Sequence, residues 1–407
     1  MFPSPPPWCH RMLTAGVTGT NGKTTTTSYL ASALGCLHGR ALRITTLGSF
    51  LGEEKLDVEP DYVGFVEAMK RALDVGVTMA AVECTSESLA AGFAKAWPMS
   101  IGVFTNLSRD HFDSHGSAEH YLASKAQLFV HLPAGGAAVL NAYDPASALL
   151  AEVVPPSVRV LGYGVPSRSS GPPVMPVFVE AERVVVGWDG TRVKIRASLD
   201  GVDFDGEMHL RAIGEMYAEN ALAAWVAAMA AGVGAKDAID GMERMPALPG
   251  RFEVIGTGPR AVIDYAHSPD ALGRTLSSAR ALCAGRLAVV FGAGGGRDRG
   301  KREAMGQASR VADRIVLTSD NPRREDPALI AAAIRRGIGD HAAVSVQLDR
   351  EKAIRRAFEG AGKDDVVVIA GRGPETEQVF ASGVRRLVDA DVARGILGEL
   401  RPSEEFT

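Results

Sequence analysis

The chain has 407 residues, room for two to three domains at roughly 150 residues each. Apolar residues make up 46% and charged residues 23%, which excludes a disordered or fibrous chain. Lys and Arg number 44 against 48 Asp and Glu, and a net charge of -4 gives no electrostatic reason for a nucleic-acid or membrane-surface partner.

Taken in chain order, residues 1–13 open with MFPSPPPWCHRM, which lacks the charged-then-apolar pattern of a signal peptide and reads as a disordered Pro-rich leader. MLTAGV is a strand, followed by a Gly-rich turn and the helical TTTTSYLASALGCL. VTMAAVE, IGVFTN and GGAAVLN are buried-strand runs, and AEHYLASKAQLFVHL between the last two is an amphipathic helix. This alternation predicts an α/β domain with a parallel sheet, whose ligands collect beyond the carboxyl ends of the strands. Residues 165–212 depart from it: Asp189-Gly190 between alternating runs predicts an antiparallel hairpin excursion. The Pro- and Gly-bearing PALPGR at 246–251 marks a boundary. Strands AVIDY, LAVVFGA, RIVLTS and VVVIAG then build a second, smaller doubly wound, Rossmann-like domain. The predicted division is 14–247 for the first domain and 248–407 for the second. No run of 18 apolar residues occurs. Cys9, Cys36, Cys84 and Cys283 form no CxxC or zinc spacing and read as small buried residues of a reduced, cytoplasmic protein.

GVTGTNGKTTTT is the strongest local signal. Gly19, Thr20, Asn21, Gly22 and Lys23 lie between a strand and a helix, where backbone N–H groups and the helix N-terminus wrap phosphates. Lys23 can reach the β- and γ-phosphates, and the Thr24 hydroxyl, with Thr25 beside it, can bind Mg²⁺. The first Gly of the usual GxxxxGK[ST] pattern is Val17 here. GTNGKTT resembles the phosphate loop of the Mur ligase family, which makes peptide-like amide bonds with ATP during peptidoglycan assembly. The related folylpolyglutamate synthases usually read GTNGKGS, so Thr24-Thr25 favours the Mur branch.

That resemblance implies that 14–247 is a P-loop ATP-binding domain and 248–407 an amino-acid-binding domain, and it implies further sites. Glu83, at the end of VTMAAVE, and His111, in RDHFDSH, match the family's magnesium ligands. Lys125, in ASKAQLF, matches a carbamylated Lys, whose carbamate turns an ammonium into an anionic oxygen ligand. Asp110, Asp113 and His115 are candidates to orient those ligands. Asn220 matches an Asn near the adenine, Arg251 in LPGRFE an Arg on the ATP phosphates, and Asp264 in IDYAHSPDAL an Asp facing the ribose. His267 in the same motif is as consistent with a structural role. ATP and two Mg²⁺ ions are the implied cofactors. FGAGGGRDRGKR and TSDNPRREDP resemble the branch that adds the third stem-peptide residue, and Asp320-Asn321-Pro322-Arg323 resembles the signature of its diaminopimelate-adding members. An Arg fork there binds a carboxylate bidentately. Ser86, Arg297, Asp320, Asn321, Arg323, Gly371 and Glu375 are the substrate candidates, Arg297 for an α-carboxylate and Glu375 for an ammonium. Arg372 and Pro374 stand where the family has Lys and His.

Two departures concern the acceptor. Family members carry a UDP-gripping domain before the phosphate loop, whereas the resemblance here starts at about residue 14. The family's Gln and Arg that contact the nucleotide sugar correspond by counting to Ala91 and Phe93. The resulting expectation is an ATP-dependent carboxylate–amine ligase whose acceptor is not a UDP-sugar, joining it to diaminopimelate or another amino acid with an extra carboxylate. One alternative is a peptidoglycan tripeptide synthetase with its first domain missing or supplied in trans. Another, of a different class, is a non-catalytic nucleotide-binding regulator. The partners expected are small molecules, with no nucleic acid and no membrane.

Overall fold

The computed structural model describes residues 2–108, 117–169, 171–199, 202–296, 298–340 and 343–400. The chain forms two compact units, Met1–Arg211 with Glu215–Pro246, and Ala212–Gly214 with Ala247–Thr407.

The first unit is built on an eleven-stranded sheet. Its strands are β1 (Leu13–Thr18), β2 (Leu42–Thr45), β3 (Gly48–Leu51), β4 (Glu54–Leu56), β5 (Met79–Glu83), β6 (Ile101–Phe104), β7 (Ala137–Asn141), β8 (Arg159–Gly164), β9 (Val179–Gly187), β10 (Gly190–Leu199) and β11 (Val202–Leu210). The spatial order is β11-β10-β9-β8-β7-β6-β1-β5-β2-β3-β4. The stretch from β8 to β2 is parallel, with β1 paired to both β5 and β6. Such strands are covered on both faces, which is why β6 and β7 read as unbroken apolar runs and are buried throughout. The antiparallel ends are β2-β3-β4 on one side and β9-β10-β11 on the other. The β9–β10 hairpin turns at Trp188-Asp189, with Gly190 at φ 135°.

Helix Glu215–Ala230 is Ala-rich and buried from Tyr217 to Ala228. It packs beside helix Lys23–His38, which also lies against helix Ala235–Arg244. That second contact is close because Gly241 has no side chain; a Cβ there would sit 2.8 Å from Cys36 Sγ.

The N-terminal residues differ from the expected disordered leader. Pro7–Arg11 form a 3₁₀ turn, Phe2 lies 5.0 Å from Tyr62 and 5.9 Å from Phe93, and Trp8 meets Trp97 edge-on at 5.8 Å. Two aromatic side chains spaced among prolines find the apolar surface formed by Tyr62, Phe65, Phe93 and Trp97, and their burial outweighs the ordering cost.

The second unit carries β12 (Glu253–Ile255), β13 (Arg260–Asp264), β14 (Leu287–Phe291), β15 (Arg314–Leu317), β16 (Val344–Val346) and β17 (Val366–Ala370), in the order β12-β13-β17-β14-β15-β16. All pair in parallel except the edge strand β12. A separate hairpin is formed by β18 (Glu377–Phe380) and β19 (Gly383–Arg386). Helix starts are capped by side chains: Ser268 accepts from Ala271 N, Asp326 from Ala328 N and Asp349 from Lys352 N. Among the described residues no helix is long and apolar enough to cross a membrane. All four cysteines are free; Cys84 and Cys283 are buried, while Cys9 and Cys36 are only half-buried.

Candidate active site

In the first unit, β1 runs into a tight turn at residues 19–22 and then into helix Lys23–His38. Gly19 and Gly22 adopt φ of 149° and 87°. A Cβ at Gly19 would lie 1.9 Å from Thr105 Oγ1, and one at Gly22 would lie 2.2 Å from Asn220 Oδ1. Both glycines are therefore required by close approach as well as by backbone conformation.

The loop is stapled to the segment that leaves β6. Asn106 Oδ1 accepts from Asn21 N at 2.9 Å and its Nδ2 donates to Asn21 O at 3.1 Å. Thr105 Oγ1 donates to the same carbonyl at 2.7 Å. Thr20 Oγ1 accepts from Ser108 N at 3.0 Å and from the Tyr121 hydroxyl at 3.3 Å. Thr105, Asn106, Ser108 and Tyr121 were not singled out by the sequence; the only signal was that TNLS follows a strand at its carboxyl end. The same segment is braced from β7, where Asn141 Nδ2 donates to Thr105 O at 2.9 Å and to Glu219 Oε1 at 2.8 Å.

Three predicted residues converge on this loop. Thr24 Oγ1 donates to Glu83 Oε2 at 2.9 Å, and Thr46 N donates to the same oxygen at 3.3 Å. Lys125, 1% exposed, donates from Nζ to Gly19 O at 2.8 Å and stands 4.2 Å over the Tyr121 ring. Lys23 curls back, donating to Gly19 O at 3.1 Å and Thr20 O at 2.9 Å. A hydroxyl and a carboxylate side by side at a phosphate loop are hard oxygen donors, the chemistry that suits Mg²⁺. Asn220 is buried against Gly22, at the loop itself. Thr25 is buried, and Ser86 Oγ donates to Glu87 Oε2 at 3.2 Å. His111, Asp110, Asp113 and His115 lie outside the described residues.

In the second unit, Arg251 stacks over the Tyr265 ring at 4.5 Å. Asp264, which the resemblance places facing a ribose, is bonded within the second unit. Its Oδ2 accepts from Phe252 N at 2.7 Å, and its Oδ1 from Ala266 N at 2.9 Å and the Thr275 hydroxyl at 3.0 Å. Both oxygens are thus used by the chain, and they hold Phe252 at a positive φ of 52°. Burial raises the Asp264 carboxyl despite Arg251 and these bonds. His267 is tied locally, its Nδ1 2.8 Å from Tyr265 O.

The DNPR segment and the loop after β17 come together. Asn321 Nδ2 donates to Glu375 Oε2 at 2.7 Å, and Asn321 Oδ1 accepts from Val379 N at 2.9 Å. Asp320 Oδ1 accepts from Asn321 N at 2.6 Å; its Oδ2 would be 2.5 Å from a Cβ at Gly371. Arg323, at φ 53°, donates from Nη1 to Gly295 O at 2.9 Å, which ties it to the GAGGG loop. Arg302 grips Glu325 at 2.7 and 2.9 Å, and that bidentate pair brings the Glu325 carboxyl down to about 2. Arg297 lies outside the described residues. Burial raises the Glu375 carboxyl, although the Asn321 bond works against it.

Behind this pocket lies a network that the sequence did not announce. Arg350 and Arg372, both fully buried, share Asp389. Arg350 donates at 2.8 and 2.7 Å, and Arg372 Nη1 stands 3.5 Å from Oδ1. Arg372 also donates to Glu377 O and Leu387 O. These bonds fix the loop carrying Glu375. Burial alone would lower the Arg350 guanidinium, but Asp389 more than offsets it and leaves it raised.

A P-loop on a parallel sheet, joined in one chain to a doubly wound unit with a clustered Asp, Asn, Arg and Glu, is the arrangement of a nucleotide-dependent enzyme. Residues 17–228 match the Mur ligase middle domain and residues 250–373 the Mur ligase glutamate ligase domain. A UDP-N-acetylmuramoyl-L-alanyl-D-glutamate–2,6-diaminopimelate ligase of Xylella fastidiosa is 36% identical over 97% of this chain and 79% of its own length. That of Vibrio parahaemolyticus is 34% identical over 94% and 76%. A solved structure of a ligase of the same name superposes with a TM-score of 0.63 at 30% identity, covering 95% of this chain and 78% of the other. The chain belongs to the Mur ligase family. It is an ATP-dependent, ADP-forming acid–amino-acid ligase of a family that uses ATP with Mg²⁺, and the reading as a non-catalytic regulator is set aside.

Proposed function

We propose that the protein joins diaminopimelate to the dipeptide carboxylate of a UDP-N-acetylmuramoyl acceptor, in the cytoplasm, with ATP converted to ADP and phosphate. The observation that carries this reading is identity of 34–36% to diaminopimelate-adding ligases along 94–97% of the chain. The clustering of Asp320, Asn321, Arg323 and Glu375 supports it. This ranks the UDP-sugar acceptor, first held as an alternative, above a different acid.

The acceptor carboxylate attacks the γ-phosphorus of ATP, giving an acyl phosphate and ADP. The amino group then attacks the acyl carbon, and phosphate leaves from the tetrahedral intermediate as the amide forms. Activation is needed because a free carboxylate is a poor electrophile. Lys23 leaves the Gly19 and Thr20 carbonyls for the phosphates, and Arg251 adds positive charge where the phosphoryl group migrates. Thr24, Glu83, His111 and a carbamylated Lys125 would hold two Mg²⁺ ions, whose charge offsets that of the transferring group. Asn220 would shape the nucleotide site of the first unit, and Asp264 sets the backbone next to Arg251 in the second. Ser86 faces the acceptor. Arg297 and Arg323 take the carboxylates of the amino acid, and Glu375, oriented by Asn321 beside Asp320 and Gly371, takes its ammonium.

A second reading, an acceptor that is not a UDP-sugar, is favoured by one observation. Phe93 is 7% exposed and packs edge-on to Phe65 at 5.0 Å, and Ala91 ends helix Ser86–Ala90. Apolar side chains thus stand where the resemblance puts polar contacts to the sugar nucleotide. The test is ADP release and product mass with UDP-N-acetylmuramoyl-dipeptide and diaminopimelate. Tripeptide formation supports the first reading. ADP release only with other acids overturns it in favour of the second.

A further inference from the structure

Helix Lys23–His38, strand β2 and the end of helix Ala235–Arg244 enclose a cavity of about 230 Å³ on the first unit. Its wall includes Arg40, Arg43 and Arg244, with Glu53 as the lone carboxylate. None of the three arginines has a carboxylate within salt-bridge distance among the described residues. Arg43 is half-buried; Nη1 lies 3.4 Å from Ser28 Oγ, the guanidinium stands 4.4 Å over the Phe50 ring, and its buried Nε has no partner. Arg244 Nη2 reaches only Cys36 Sγ at 3.1 Å. Burial lowers the Arg43 guanidinium, and Glu53 only partly restores it.

Three guanidinium groups lining one cavity with a single carboxylate leave an excess of positive charge, and forks of this kind match the oxygens of a phosphate group. The cavity is smaller than the roughly 300–1,000 Å³ of drug-sized ligand sites, which fits a phosphate or a small phosphate monoester better than a nucleotide. The site is wired to the phosphate loop from two sides. Ser28, beside Arg43, donates to Thr24 O at 2.8 Å. Arg43 lies on β2, and Thr46 just beyond that strand donates to Glu83, the partner of Thr24.

We propose that this cavity is a second anion site, binding inorganic phosphate or a small phosphate monoester, and that its occupancy is felt at the nucleotide site through Ser28 and β2. The proposal concerns residues outside the proposed reaction and stands whichever acceptor is correct.

Calorimetry on the full chain, with the phosphate loop already filled by a non-hydrolysable ATP analogue and magnesium, tests it with inorganic phosphate and with glycerol 3-phosphate. At least one should bind, and the R40Q/R244Q variant should bind it about tenfold more weakly. Both positions are exposed, so the variant should keep the wild-type circular dichroism. The bound anion should also shift the analogue's Kd by about threefold in the wild type and not in the variant. Binding of neither probe, or equal affinity in the variant, overturns the site. An unchanged analogue Kd overturns its link to the phosphate loop.

Discussion

Replacing Asp389 with Asn tests whether the buried Arg350–Asp389–Arg372 network holds the second unit together. The carboxylate accepts two short bonds from Arg350, at 2.8 and 2.7 Å, and faces Arg372 at 3.5 Å. All three side chains are fully buried. An Asn preserves the shape but removes the negative charge and turns an amide N–H₂ toward a guanidinium. Arg350 then has no carboxylate within ion-pair distance among the described residues and Arg372 keeps only Glu375 at 3.7 Å, a defect that costs about 3–5 kcal/mol. Domain stabilities are roughly 5–15 kcal/mol, so about a fifth or more of the total is at stake. With a urea slope of about 2 kcal/mol per M, the midpoint should fall by about 2 M. The molecule offers a way to localise the loss. Its four tryptophans, Trp8, Trp97, Trp188 and Trp225, all lie in the first unit. Tryptophan fluorescence therefore reports that unit, while far-ultraviolet circular dichroism reports both. D389N should show an early circular-dichroism transition with the fluorescence transition unmoved. A circular-dichroism shift below about 0.5 M urea would refute the reasoning, because a buried ion pair of real consequence cannot be lost so cheaply.

Gly22→Ala should weaken binding of an ATP analogue and destabilise the first unit by about 1–3 kcal/mol, since the new Cβ meets Asn220 Oδ1 at a φ of 87°. The G22A/N220A double variant should recover only part of the loss, because the backbone strain remains; full recovery by calorimetry would contradict the account. Arg323→Lys should raise KM for diaminopimelate by roughly tenfold or more with kcat within about twofold, a lysine being unable to reproduce the fork. An unchanged KM in steady-state kinetics would remove Arg323 from the pocket. Glu325 titrates at about 2 in the folded chain, below its ordinary 4.5, so its contribution to stability is present above that ordinary value and is lost as pH falls toward 2. Acid unfolding followed by circular dichroism should lose this component in E325Q, and an identical acid limb in both proteins would be the contrary result.

The alternation of short apolar runs with helical ones was enough to read two α/β units, because strands buried on both faces cannot be anything but continuously apolar, as in β6, β7 and β17. The Asp189-Gly190 hairpin was legible for a local reason, a turn that needs a positive φ. The phosphate loop was legible because its chemistry is contiguous: seven residues carry the turn, the cation and the hydroxyl. Glu83 was legible as a carboxylate at a strand's carboxyl end and Lys125 only through resemblance; what places them is the register of β5 beside β1 and the packing of helix Ala118–Val130.

Other features had no local signature. Thr105, Asn106 and Ser108 hold the loop from more than eighty residues away, and nothing in TNLS says which carbonyl it will meet. The motif around Asp264 did not announce that its oxygens also hold Phe252, Ala266 and Thr275. The Pro-rich start, read as disordered, is ordered because Phe2 and Trp8 have an aromatic surface to cover. By itself, then, the sequence determined the architecture, the nucleotide loop and the family, all of which depend on near-neighbour patterns. Only the tertiary structure decided which polar groups are consumed in holding the chain and which are left for ligands, because satisfying a buried charge is a matter of who stands next to it in space.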